Sequence, residues 1–166
     1  MTSSGQRPFL LCYDGSADAA NAIREVGAMA GGGRARLVHV WVPPSALMFQ
    51  GREVGEGHPL ASAAKEFDAA AREAAERVTA EGVEVAEVAN FDADPLTVAS
   101  RQRVWRTIVD LADAHRARAV VMGSLGTSKL PSVLVGSVSG GVLNHCRAAG
   151  DRGPARGPGA RIGAVA

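Results

Sequence analysis

The sequence predicts an α/β fold: an open parallel sheet with helices on both faces. Short apolar runs without helical period, at residues 9–13, 37–42 and 118–122, alternate with segments whose apolar residues recur at three- and four-residue intervals. Strands alternating with helices of this length need right-handed crossovers, and so a parallel sheet buried on both sides. Two of the runs end in turn signals, Asp14-Gly15-Ser16 and Gly123-Ser124. Ligands of such sheets sit beyond the carboxyl ends of strands, where the strand order reverses.

The first strand, Phe9-Leu10-Leu11-Cys12-Tyr13, is apolar throughout, as a strand covered on both faces must be. From Asp18, the positions Ala19, Ala22, Ile23, Val26 and Ala30 form a helical stripe, and Gly31-Gly32-Gly33 supplies the left-handed backbone that ends helices. Leu37-Val38-His39-Val40-Trp41-Val42 is β-branched and aromatic, and Pro43-Pro44 stops it. Residues 45–59 read as a loop before a second helix, with stripe Leu60, Ala64, Phe67, Ala71, Ala74 and Val78, that closes at Gly82. Val83, Val85 and Val88, interleaved with Glu84 and Glu87, suggest a half-exposed edge strand followed by a turn over 92–95. Val104, Ile108, Leu111, Ala112 and His115 mark a third helix. Arg118-Ala119-Val120-Val121-Met122 is a fourth strand, and Ser137 opens a last helix with stripe Val138, Val142 and Cys146.

With 166 residues, 46% of them hydrophobic, the chain can bury one core and is too short for two ordinary domains. The expected unit spans 1–147, with a Gly/Pro/Arg-rich tail over 148–166. The 18 basic and 17 acidic side chains are interspersed to a net charge of +1, so no uniform field would draw in nucleic acid or an anionic membrane, and neither is expected as a partner. Only Cys12 and Cys146 could pair, which is the usage of a reduced compartment rather than of a disulfide scaffold. The polar start over 1–8 has no secretory pattern, and no segment approaches the ~18 apolar residues of a membrane span, so a cytoplasmic location is expected.

The segment from Gly123 to Ser139 carries the chemistry. Gly123 and Gly126 let a backbone approach polyphosphate with no Cβ in the way and leave amide N–H groups to point at oxygens. Gly136-Ser137 opens a helix, and the Ser137 hydroxyl with the first-turn amides makes an anion site carrying about half a positive charge. Each glycine alone reads as a turn, and Ser137 alone as a cap; two glycines, a nine-residue spacer and a Gly-Ser helix start, all after a buried strand, read as a phosphate cradle.

That spacing, together with Tyr13-Asp14-Gly15-Ser16, His39-Val40 and Val121-Met122-Gly123-Ser124, resembles the nucleotide-binding pattern of ATP-binding universal stress proteins over roughly nine-tenths of the chain. The resemblance implies a Rossmann-like sheet of the adenine nucleotide alpha hydrolase type, in strand order 3-2-1-4-5. It implies ATP as ligand, with Mg2+ carried on its phosphates, and a stress-response regulator or sensor without efficient catalysis, in a family that commonly forms homodimers. By the same resemblance Asp14 contacts the nucleoside and Val40 lines the adenine pocket. Gly123, Gly126, Gly136 and Ser137 hold phosphates, and Met122, Val138 and Ser139 complete the site. Asp14 also reads as a turn former or as the N-cap of the first helix. A slow ATPase using Asp14 or Ser137 to order water, and a non-nucleotide interaction module on the same fold, are the competing functions.

Other chemistries fail on spacing. There is no G-x-x-x-x-G-K-[ST], and Gly31-Gly32-Gly33 follows a helix instead of a strand, which excludes the P-loop and the dinucleotide fingerprint. Gly136-Ser137-Val138-Ser139-Gly140 holds its serines off the register of a nucleophile elbow. His39, His58, His115 and His145 are scattered without ligand spacing, so no structural metal is expected. Trp41 and Trp105 read as core or interface residues, and Lys129 as a solvated charge beside the cradle.

The chain departs from the family after its last helix, where a short edge strand that commonly pairs two subunits is expected. Ala-Gly-Asp-Arg-Gly-Pro-Ala-Arg-Gly-Pro-Gly-Ala-Arg cannot hold a strand, so the fifth strand is either missing or displaced to Ile162-Gly163-Ala164-Val165. The tail reads as a disordered extension, with a basic arm of Arg147, Arg152, Arg156 and Arg161 or a shifted frame of a GC-rich gene as alternatives. The altered edge also weakens any transfer of the family's dimer.

Overall fold

The computed structural model describes residues 7–48, 61–124, 137–149 and 161–164, the last group and 146–149 as backbone only. Its elements are β1 (Phe9–Cys12), α1 (Ala17–Ala30), β2 (Gly33–Trp41), α2 (Pro44–Met48), α3 (Ala61–Val88), β3 (Phe91–Ala99), α4 (Val104–Ala114), β4 (Ala119–Met122), α5 (Ser137–Ala149) and β5 (Arg161–Ala164). The strands form one parallel sheet in the order β3-β2-β1-β4-β5. The expected fold class and strand order are both observed. Of the two expectations for the fifth strand, the structure shows the displaced one: Arg161–Ala164 pairs with Ala119–Met122.

Alternation along the strands sorts the core into two layers. Phe9, Leu11, Tyr13, Leu37 and Val121 face α1 and α3, where they pack with Ile23 and Ala86. Leu10, Cys12, Val38, Val120 and Met122 face the other way, against Ile108 and Ala112 of α4 and Val142 of α5. Leu10, Leu11, Leu37, Val38, Val120 and Val121 are fully buried, each burial being worth about 1.5–3 kcal/mol. β1 and β4 accordingly carry no polar residue on either side.

Helix α1 begins where Ser16 caps it, its side chain accepting the Ala19 amide at 3.1 Å. It ends at Gly31, whose φ of 71° places it in the left-handed region and whose amide donates to the Gly27 carbonyl at 2.9 Å.

The largest correction concerns residues 83–99. Val83, Val85 and Val88 do not form an edge strand: α3 runs without a break from Ala61 through Val88. The alternation of valine and glutamate is a coincidence of two periods, because Ala75, Thr79, Gly82 and Ala86 recur at helical spacing and are the buried face. Val88 is 77% exposed, as a helical residue on the far side would be. Gly82 accordingly sits inside the helix and does not end it.

The edge strand is β3, and the expected turn over 92–95 is part of it. Pro95 lies level with Leu37 of β2. An outermost strand can carry a proline, since only one of its sides must supply donors. Arg36 and Asp94, paired in the β2–β3 register, meet at 3.2 Å, and the Thr79 and Thr97 hydroxyls meet at 2.7 Å between α3 and β3. The short helix α2 falls where a loop was expected, and Asp68 of α3 holds it by accepting from the Ser45 amide and hydroxyl at 2.9 and 2.6 Å.

Candidate functional site

Because β1 and β4 are parallel neighbours with Leu11 level with Val121, the turns that begin at Asp14 and Gly123 leave the sheet side by side. The helices that follow β1 and β4 leave from this same edge, where the strand order reverses. The condition set for the two turns to face each other, that β1 and β4 be neighbours, is met. Gly123 is packed closely: a Cβ there would collide with the Asp18 carboxylate and lie 2.9 Å from the Ala19 nitrogen. The end of β4 thus rests on the first turn of α1, and Asp18 is a neighbour of Gly123 that the spacing alone did not reveal.

At the β1 end, Asp14 is exposed and its Oδ1 accepts the Ser16 amide at 3.0 Å. Asp14 is therefore the turn former and Ser16 the N-cap, with Gly15 between them at φ 81°. The residue before this turn is held at three points. The Tyr13 amide donates to the Val38 carbonyl at 2.9 Å. The Tyr13 carbonyl lies 2.8 Å from His39 Nδ1, and since a carbonyl only accepts, that nitrogen carries the proton. The Tyr13 hydroxyl donates to Glu81 Oε1 of α3 at 2.5 Å. Burial, then the hydrogen bond and the negative charge of Glu81, push the Tyr13 phenol up to about 12, so it remains a donor throughout the neutral range.

Val40, Met122 and Val138 come from three elements and pack into one apolar cluster with Cys12 and Val142. Met122 is buried, while Val40 and Val138 are half-buried. At the β4 end, Ser137 is exposed at the start of α5, and Ser139 is buried with its hydroxyl donating to the Ser124 carbonyl at 2.8 Å. That bond ties the first turn of α5 to the residue after Gly123. It brings a helix N-terminus, with its partial positive charge, to the strand end. Gly126, Gly136 and Lys129 lie outside the described residues.

Of the remaining candidates, Cys12 is a buried thiol packed in the apolar cluster beneath α4 and α5. Trp105 is half-buried under α5: a Cβ on Gly141 would lie 2.5 Å from its Cδ1, and His145 stacks on its ring at 3.9 Å. Trp41 lines a groove of about 340 Å³ with Arg72, Glu76, Thr97 and Ala99, at the carboxyl ends of β2 and β3. Among the described residues, none of the expected nucleotide contacts lines that groove. Among the described residues, no three His, Cys, Asp or Glu side chains cluster as a metal site, and no helix is long and apolar enough to cross a membrane.

Comparison with solved structures finds the same architecture repeatedly. A hypothetical protein whose biochemical function was assigned from its structure superposes with a TM-score of 0.65 at 21% identity, covering 83% of this chain and 88% of that one. The universal stress protein UspA from Lactobacillus plantarum gives 0.55 at 20% identity, over 85% and 93%. A universal stress protein in complex with cAMP gives 0.55 at 20% identity, over 83% and 90%. At these identities the likeness concerns the fold. No individually curated protein matches the chain by sequence. The model of the universal stress protein family matches residues 6–149, from the residues before β1 to the end of α5, and the chain belongs to that family.

Proposed function

We propose that the chain binds ATP in the crevice between the ends of β1 and β4, as a nucleotide-dependent regulator or sensor of the stress response without efficient turnover. The observation that carries this reading is the meeting of the Asp14 turn, the Gly123 strand end and the α5 N-terminus, joined by the Ser139–Ser124 hydrogen bond. In this reading Asp14 faces the nucleoside, and Val40, Met122 and Val138 supply the apolar wall of the adenine pocket. Gly123, Gly126, Gly136, Ser137 and Ser139 make the phosphate end, where the helix N-terminus favours negative charge. Mg2+ would be carried by the phosphates of the ligand. The solved universal stress protein in complex with cAMP supports an adenine ligand for this fold.

Residues 1–147 make the functional unit of this reading, with 148–166 as its tail. This reading takes the protein to be cytoplasmic, and light scattering of the purified chain tests whether it is a homodimer. Calorimetry with ATP, AMP and GTP on the wild type, Gly123→Val and Gly136→Val tests the binding. ATP and AMP should bind the wild type and weaken at least tenfold in both variants, and equal weak binding in all three proteins refutes the proposal. Phosphate release above background that disappears in Asp14→Asn would make the chain a slow ATPase instead.

A further inference from the structure

The nucleoside end of this crevice depends on a residue the motif does not include. Strand β1 ends at Cys12, and among the described residues the Tyr13 carbonyl has no main-chain partner. His39 supplies a side-chain partner: its Nδ1–H caps the carbonyl at 2.8 Å, while the carbonyl of the residue before it, Val38, takes the Tyr13 amide at 2.9 Å. Both main-chain polar groups of Tyr13 are thereby fixed by two consecutive residues of β2, and the following residue of that strand is Val40. The phenol end is fixed as well, through Glu81 of α3 at 2.5 Å. Gly82 makes room for the ring, since a Cβ there would lie 2.7 Å from Tyr13 Cδ1. Val78, one turn back, lies under Gly15, 3.8 Å from where a Cβ would stand. The backbone that presents Asp14 is therefore clamped between β2 and α3.

We infer that His39 is a positioning residue for Asp14: by capping the Tyr13 carbonyl it fixes the direction in which the Asp14-Gly15-Ser16 turn leaves β1, and so the placement of the carboxylate toward the nucleoside. Glu81 supports the same placement through the Tyr13 hydroxyl. The inference rests on the nucleotide reading for its ligand, but its geometry does not. Glutamine at position 39 keeps an N–H donor near the carbonyl, whereas leucine removes it at similar volume and leaves the carbonyl unpaired.

The test is a double-mutant cycle on ATP affinity with His39→Leu, His39→Gln, Asp14→Ala and the pair His39→Leu with Asp14→Ala. The capping role requires His39→Leu to weaken ATP about three- to tenfold, His39→Gln to recover most of that loss, and the double variant to bind no worse than Asp14→Ala alone, because the histidine acts through the aspartate. Losses that add in the double variant, no loss in His39→Leu, or no recovery in His39→Gln overturn it. Amide hydrogen exchange at Ser16, read without nucleotide, separates this from failure of the nucleotide reading. If the wild type binds no adenine nucleotide, faster exchange at Ser16 in His39→Leu, restored in His39→Gln, still supports the capping role, and unchanged exchange overturns it.

Discussion

Replacing Gly82 by alanine sets two effects of opposite sign against each other inside α3. Alanine in a helix interior is favoured over glycine by about 1 kcal/mol, so helix propensity alone predicts a more stable protein. The added Cβ, however, would lie 2.6 Å from Leu37 Cδ2, 2.7 Å from Tyr13 Cδ1 and 2.9 Å from Tyr13 Cγ. The leucine methyl can give way by a rotamer change. The phenol ring cannot easily do so, since its hydroxyl is bonded to Glu81 and the Tyr13 backbone to Val38 and His39. Overpacking a filled core of this kind costs about 1–3 kcal/mol, so after the gain in helix propensity the net effect is a loss of up to about 2 kcal/mol. For a chain of this length that lowers the melting temperature by up to about 8 °C. Thermal denaturation of Gly82→Ala followed by circular dichroism measures it, and Leu37→Val in the same background should recover part of the loss. A melting temperature raised above wild type refutes the packing argument, because it would mean that helix propensity had prevailed.

Three further outcomes follow from the same contacts. Ser139→Ala removes a donor to the Ser124 carbonyl at a buried position and should cost about 1–2 kcal/mol in chemical denaturation, with weaker ATP binding measured by calorimetry. Ser16→Ala removes the α1 cap and should cost about 1 kcal/mol, less than Ser139→Ala, because the first turn of α1 is more open to water. The Tyr13 phenol is raised from 10.0 to about 12 in the folded protein, so the folded state holds its proton where the unfolded chain has lost it. Stability from this group is full below pH 10 and falls by on the order of 2 kcal/mol as pH rises to 12. Tyr13→Phe should flatten that part of the pH profile, and an unchanged slope between pH 10 and 12 counts against the assignment.

The parts of the fold legible in the sequence were those with one dominant signal. Phe9-Leu10-Leu11-Cys12 and Val120-Val121-Met122 are buried on both faces, so their unbroken apolar character could only mean central strands. The stretch 83–88 misled because valine and glutamate alternate there while the residues that decide the packing, Gly82 and Ala86, are small and carry little hydrophobic signal. A glycine read as a helix stop was in fact the point of closest approach between α3 and Tyr13. In the candidate site, Gly123 and Asp14 were found as turn residues at strand ends. What the linear pattern could not give was the support behind them: the histidine on one strand reaching the carbonyl of another, Glu81 meeting a phenol 68 positions earlier, and Asp18 filling the space beside Gly123. Those relations exist only once β2 and α3 flank β1.

The outer strand β3 also bears on how the molecule meets its own copies. Nine residues of strand at the margin of a sheet form a template on which an unfolding neighbour could lay another strand. Here the middle of that margin carries Pro95, which has no amide hydrogen to offer, and the exposed carboxylate of Asp92 puts a like charge on any second copy that approaches in register. Filament growth along this side is interrupted at its centre. Replacing Pro95 and Asp92 together should therefore raise the tendency of the heated protein to precipitate well before it alters the melting temperature.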